Sequence, residues 1–301
     1  MRDTRVALVQ DSPVLFELDL TMQKVDQLMQ KAGESSPDLV VFPEAFVAGY
    51  PRGLTFGSVI GSRTDAGRAL YQRYYDHSIA VGDQGFQQLS LIVKKHKCYV
   101  AIGVIEKSGS GSLYCAIFYF DPKGQLIGKH RKLKPTAAER VVWAEGAGDD
   151  LDVYDMPFGK TGGLICWENY MPLARTWLYQ QEIEIYIAPT ADARDSWIPT
   201  LQHIAMEGRC YVLSCNQFVT KSDYPNNLPG ESIDELPEIL SRGGSCIVSP
   251  LGEILTPPLY DQAGIIHLEL SAAALTQSKL DFDAVGHYSR DDVFALKHLK
   301  S

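Results

Sequence analysis

Gly162-Gly163-Leu164-Ile165-Cys166-Trp167-Glu168-Asn169-Tyr170-Met171-Pro172 rises from two glycines through an apolar pair to a single cysteine, then breaks into polar and aromatic residues. The run reads as a strand ending at Cys166, a turn, and a helix that begins near Pro172. Chemistry in α/β proteins collects at the carboxyl ends of strands. Backbone N–H groups of the following turn would face the sulfur, which predicts a lowered thiol pKa and an oxyanion site. A free cysteine serves more often as a small buried apolar residue. Cys166 therefore needs partners before it reads as a nucleophile.

Two further strand ends supply candidates. Leu39-Val40-Val41-Phe42-Pro43-Glu44 is a short apolar strand that stops on a carboxylate. Gly128-Lys129-His130-Arg131-Lys132-Leu133-Lys134-Pro135-Thr136 is a basic run directly after another strand. Elsewhere, helical patterns at 21–32, 86–97, 172–181 and 200–208 alternate with strand-like runs at 6–10, 99–105, 183–188 and 211–219. Hairpins are expected across Asp121-Pro122-Lys123-Gly124 and Pro250-Leu251-Gly252. This mixture indicates layered α/β packing around mixed sheet. Residues 52–84 and 220–244 interrupt the alternation and read as irregular insertions, the kind that forms lids, binding loops or interfaces, with a tolerated surface loop as the alternative and an equal one for 220–244.

The order Glu44, Lys132, Cys166, each at a strand terminus, resembles the nitrilase superfamily of carbon–nitrogen hydrolases. The nitrilase branch is matched through Phe42-Pro43-Glu44-Ala45-Phe46, His130-Arg131-Lys132-Leu133, Pro135-Thr136 with Glu139-Arg140, and Cys166-Trp167-Glu168-Asn169. Ile187-Ala188-Pro189-Thr190-Ala191-Asp192 and Val285-Gly286-His287-Tyr288-Ser289-Arg290 are similar to plant-type nitrilases and their bacterial relatives. The likeness runs from Arg5 to about Val293. It implies a four-layer α-β-β-α sandwich, two sheets face to face with helices outside. One domain over 1–301 is expected, with its core at 5–293 and a short tail at 291–301.

The resemblance also implies roles. Cys166 is the nucleophile and Glu44 the general base. Lys132 keeps Glu44 ionised and, with the Trp167 backbone N–H, stabilises the tetrahedral intermediate. Glu139 is a fourth candidate, orienting Lys132 or assisting water attack; the competing reading is a surface acid paired with Arg140. Tyr50, Trp143, Trp167, Thr190 and Trp197 are candidate pocket residues through their nearness to these motifs. The implied reaction is hydrolysis of an organic nitrile, aromatic or arylaliphatic in preference to aliphatic, to the acid and ammonia through a cysteine thioimidate and thioester.

An amidase or carbamoylase of the same superfamily is the main alternative, with Cys166-Trp167-Glu168-Asn169 and Pro135-Thr136 favouring nitriles. A Cys/His/Asp α/β-hydrolase fits poorly, because its elbow wants glycine where Leu164 and Glu168 stand. A non-catalytic binding module would be expected to have lost Glu44, Lys132 or Cys166.

Bulk properties bound the rest. The chain is 45% hydrophobic and 22% charged, with a net charge of −9 that argues against nucleic acid or an anionic membrane as partner. No apolar stretch approaches the ~20 residues of a membrane span. Met1-Arg2-Asp3-Thr4-Arg5 leads straight into a strand, so no signal peptide is expected and the cytoplasm is the expected compartment. Cys98, Cys115, Cys166, Cys210, Cys215 and Cys246 form no C-x-x-C pair, so neither a metal site nor disulfides are expected, and no cofactor is called for. All the cysteines but Cys166 read as core. A homodimer or larger even-numbered oligomer is expected, built by helix pairing across a two-fold axis.

Overall fold

Successive side chains of a strand point to opposite faces, and most strands here are apolar on both, so each sheet must be covered twice. The computed structural model describes residues 1–299; Lys300 and Ser301 of the expected tail lie outside the described residues. The chain opens with β1 (Thr4–Gln10), α1 (Leu18–Gly33), β2 (Leu39–Val41), α2 (Asp65–Asp76), α3 (Gln84–His96) and β3 (Tyr99–Lys107). It continues through β4 (Leu113–Phe120), β5 (Leu126–Arg131), β6 (Tyr154–Met156), β7 (Gly159–Gly163), α4 (Pro172–Gln180) and β8 (Ile185–Thr190). Then come α5 (Trp197–Gly208), β9 (Tyr211–Asn216), β10 (Phe218–Thr220), β11 (Ile239–Val248), β12 (Leu259–Tyr260), β13 (Gly264–Leu270) and α6 (Ala272–Ser278).

One sheet runs β13-β1-β2-β3-β4-β5, the other β10-β11-β9-β8-β7-β6 with β12 beside β11. Each has a parallel centre, β1-β2-β3 in the first and β7-β8-β9 in the second, with antiparallel flanks. Between the sheets, Val6, Leu8, Val41 and Ile117 meet Ile165, Ile187, Leu213 and Ile247. The Cys215 thiol donates across this interface to the Val9 carbonyl at 3.1 Å. Outside the first sheet, Val9, Val40, Ile102 and Phe118 pack beneath Met22, Val25 and Met29 of α1 and Leu89 and Val93 of α3. Outside the second, Tyr186, Val212 and Cys246 pack beneath Leu178 of α4 and Leu201 and Ile204 of α5. This is the α-β-β-α sandwich.

The two interruptions are more ordered than their composition suggests. Residues 52–84 contain α2, whose start is capped by the Thr64 hydroxyl accepting from Gly67 N at 3.0 Å. Its tyrosines face the protein: Tyr74 is buried, while Tyr71 and Tyr75 donate to the Gly111 and Ser108 carbonyls. Residues 220–244 end inside β11, whose register breaks between Gly243 and Ser245. The interruptions also meet. Tyr224 donates to the Arg52 carbonyl at 2.9 Å, and Glu231 accepts from the Thr55 and Phe56 amides.

Candidate active site

Glu44 stands three residues past β2, on chain that continues along β3. Phe42 N donates to the Ala101 carbonyl and Val47 N to that of Gly103, at 2.8 and 3.1 Å. A Cβ on Gly103 would lie 2.1 Å from the Pro43 oxygen and 2.7 Å from Glu44 Cα, so only glycine admits this approach. From the other sheet, Gln217 Nε2 donates to the Glu44 carbonyl at 2.7 Å.

Lys132 directly follows β5. Its ammonium donates to Glu44 Oε1 at 2.7 Å and Glu139 Oε2 at 2.8 Å. Lys129 and Lys134, by contrast, pair with Glu106 and Glu145 at more open positions. Glu139 is no surface acid. Its carboxylate also accepts from the Tyr50 hydroxyl at 2.7 Å and Thr136 N at 2.6 Å.

Cys166 follows β7 and heads a 3-10 turn, Cys166–Tyr170. Its φ of +52° lies in the left-handed region, a strained state for a non-glycine residue. A Cβ on Gly163 would sit 1.9 Å from the Ile187 oxygen, so β7 and β8 can pair this closely only through glycine. Thr190, the last residue of β8, donates its hydroxyl to Cys166 Sγ at 3.2 Å.

The electrostatics correct one expectation. Burial pushes the Cys166 thiol up to about 12, with Glu44 adding to the rise and Lys132 and Thr190 opposing it. A short turn's N–H dipoles do not outweigh complete desolvation. Burial likewise raises the Glu44 carboxyl, against the pull of Lys132, and makes it a stronger base than an exposed glutamate. Burial alone would lower the Lys132 ammonium, but Glu44 and its neighbours hold it well above its ordinary value. Glu44 Oε2 has no hydrogen-bond partner among the described residues, which leaves it open to receive a proton.

Cys166 opens into a cleft of about 660 Å³ that Tyr50, Thr136, Glu139 and Trp167 also line. Trp167 is pinned at its rim, with Nε1 donating to Asp192 at 2.9 Å and the Arg194 guanidinium 4.7 Å above its ring. Thr190 lies fully buried beneath the sulfur. Trp143 is set back from the cleft in an adjoining pocket, its ring 5.5 Å from that of Tyr50.

Trp197 is not brought to the cleft. It sits in the outer layer between α5 and the sheet, with its indole N–H donating to Ser214 at 2.9 Å. Arg52, Ile239, Leu240 and Arg242 line the cleft without any motif to announce them. Cys115 is buried as expected but adjoins the centre too, its thiol 3.6 Å from Glu44 Oε1. No group of three His, Cys, Asp or Glu side chains is placed to hold a metal ion among the described residues.

The carbon-nitrogen hydrolase family model matches residues 5–279, which contain this entire array. The chain belongs to that family. A bifunctional nitrilase/nitrile hydratase of Nicotiana tabacum is 45% identical, covering 97% of this chain and 85% of the relative. An aliphatic nitrilase of Sinorhizobium fredii is also 45% identical, over 98% of this chain and 96% of its own. A solved member of branch 10 of the nitrilase superfamily, from Saccharomyces cerevisiae, superposes with a TM-score of 0.72. That pair shares 20% identity over 95% of this chain and 97% of the other, a likeness of fold. In this carbon–nitrogen hydrolase, a thiol that opens into the cleft thus lies beside a buried basic carboxylate and a buried ammonium held by two carboxylates.

Proposed function

We propose that this hydrolase converts an organic nitrile to its carboxylic acid and ammonia through Cys166. The observation that carries the reading is the buried Glu44–Lys132–Glu139 array beside the thiol, in a chain 45% identical to proteins named nitrilases. Glu44 takes the Cys166 proton as sulfur attacks the nitrile carbon, and returns it to nitrogen to give a thioimidate. Water adds, and Lys132 with the Trp167 N–H stabilises the tetrahedral intermediate. The C–N bond breaks and ammonia leaves on a proton from Glu44. A second water cleaves the C–S bond of the thioester, restoring the thiol and releasing the acid. Glu139, through its bond to Lys132, orients the ammonium and helps to place water. The balance is one nitrile and two waters to one acid and one ammonia.

An aromatic or arylaliphatic nitrile suits a cleft of about 660 Å³ with Tyr50 and Trp167 on its walls. We also read the protein as a cytoplasmic homo-oligomer. No helix among the described residues is long and apolar enough to cross a membrane, and all six cysteines are free thiols. Leu173, Met206 and Leu251 are large exposed apolar side chains, and Met206 lies against the turn that carries Leu251. The test of function is a panel of aromatic, arylaliphatic and aliphatic nitriles with ammonia, acid and amide all quantified. Equal amounts of acid and ammonia are expected. Rapid hydrolysis of amides with no nitrile consumed would make the chain an amidase.

A further inference from the structure

Buried His130 and Glu168, with the partly buried Asp150, form a charged cluster that the reaction above does not use. His130 lies in β5, two residues before Lys132, and is 2% exposed; Glu168 is 1% exposed. His130 Nδ1 is 3.1 Å from Asp150 Oδ1, and Nε2 is 3.1 Å from both oxygens of Glu168. An ionised carboxylate only accepts, so a neutral ring would set a bare nitrogen lone pair against one of these acids. With both acids ionised, both ring nitrogens carry hydrogen and the ring is a cation. Other titratable groups beside these acids are Cys115 and Tyr119 of β4, Tyr154 of β6 and Tyr186 of β8, all kept neutral because burial raises them. The side chains of Lys129 and Arg131 turn away to Glu106.

Glu168 does more than pair with His130. It accepts from Leu133 N at 2.5 Å and Ile165 N at 2.7 Å. Leu133 follows Lys132 and Ile165 precedes Cys166, so one carboxylate ties together the two reacting segments, which come from different sheets. Cys166 also holds a strained φ, which persists only where its surroundings over-determine it.

We propose that the His130–Glu168 ion pair is a positioning device that fixes Lys132 relative to Cys166, and that loss of the His130 proton releases it and ends turnover at high pH. The inference rests on Lys132 and Cys166 being the reacting pair. Without the imidazolium, Glu168 would be a buried carboxylate near Asp150 that has lost its ion-pair partner. Burial works against the charged ring, but Glu168 and Asp150 outweigh it and raise its pKa to about 10. The alkaline limit of activity is expected there.

The test measures kcat and KM of the parent, His130→Gln and Asp150→Asn from about pH 6 to 10.5, a range that spans the ordinary and raised histidine values. His130→Gln is expected to lower kcat about 100-fold, the scale of a 1 Å misplacement, with KM near parental because no member of the cluster lines the cleft. Asp150→Asn removes one of the two acids that raise the ring, so the alkaline limit should move to lower pH. Parental kcat in folded His130→Gln, or an unmoved limit in folded Asp150→Asn, would overturn the proposal. Nitrogen NMR of histidine-labelled parent gives an answer that needs neither variant nor substrate. A doubly protonated His130 ring at about pH 8 is expected, and a neutral one overturns the inference. A parent that consumes no nitrile would instead defeat the proposed function, and the NMR result would stand apart from that failure.

Discussion

At neutral pH the Cys166 thiol keeps its proton, because burial lifts it to about 12, and in the proposed reaction Glu44, whose Oε2 has no hydrogen-bond partner among the described residues, takes that proton as attack begins. Glu44→Gln should therefore cost about 10²–10⁴ in kcat, the worth of a general base. Lys132→Met should cost at least about 10²–10³, as does loss of an oxyanion donor. Lys129→Met and Lys134→Met should cost far less, since both lysines sit in outer ion pairs. Equal losses at all three would contradict the assignment. The raised Glu44 carboxyl also carries a sign: as pH falls it protonates before an ordinary glutamate would. The acid limit of kcat/KM should accordingly lie above pH 4.5, and a limit below that value would count against Glu44 as base. Glu44, Lys132 and Cys166 were legible because each ends a strand within a distinctive motif. The thiol's raised pKa was not, since desolvation depends on what covers the sulfur. Trp197 misleads for a similar reason: nearness to Thr190 in sequence says nothing about which side of the sheet a side chain faces.

Elements hold these groups by close backbone approach. Gly103→Ala would drive a methyl into the Pro43 carbonyl and Glu44 Cα, neither of which can rotate away. Loss of thermal stability is expected, with a fall in kcat larger than in a control such as Gly109→Ala, where an added Cβ meets nothing within 4 Å. Parental stability and activity in Gly103→Ala would refute this role. β5 carries a second consequence. The His130 pKa rises from 6.5 to about 10 on folding, so the fold binds that proton more tightly. Its contribution to stability is complete below pH 6.5 and is lost as pH climbs through 10. Denaturant midpoints should fall across that window in the parent and much less in His130→Gln. The central strands and α1, α3, α4 and α5 were legible from apolar periodicity. α2 was hidden by its glycine and tyrosines, and β13 by half-exposed residues whose pattern matters only once it pairs with β1.

At the scale of the whole molecule, the candidate active site is a product of two sheets meeting. Glu44 and Lys132 come from the first and Cys166 and Thr190 from the second, while Arg52 of one interruption and Ile239, Leu240 and Arg242 of the other line the cleft. The sandwich could be inferred from the resemblance, but the meeting of those two segments could not, because Arg52 and Arg242 are far apart in sequence and share no motif. Exposed apolar side chains on the α4–α5 side favour a dimer or small even-numbered oligomer, and light scattering showing a stable monomer would exclude that assembly. The account as a whole turns on a covalent bond at Cys166. Mass spectrometry of enzyme quenched during turnover of a slow nitrile tests it most directly. An adduct equal to the added nitrile, or to the acyl group it becomes, is expected on the peptide carrying Cys166. Nitrile consumption with that peptide unmodified, and still proceeding in Cys166→Ala, would contradict it.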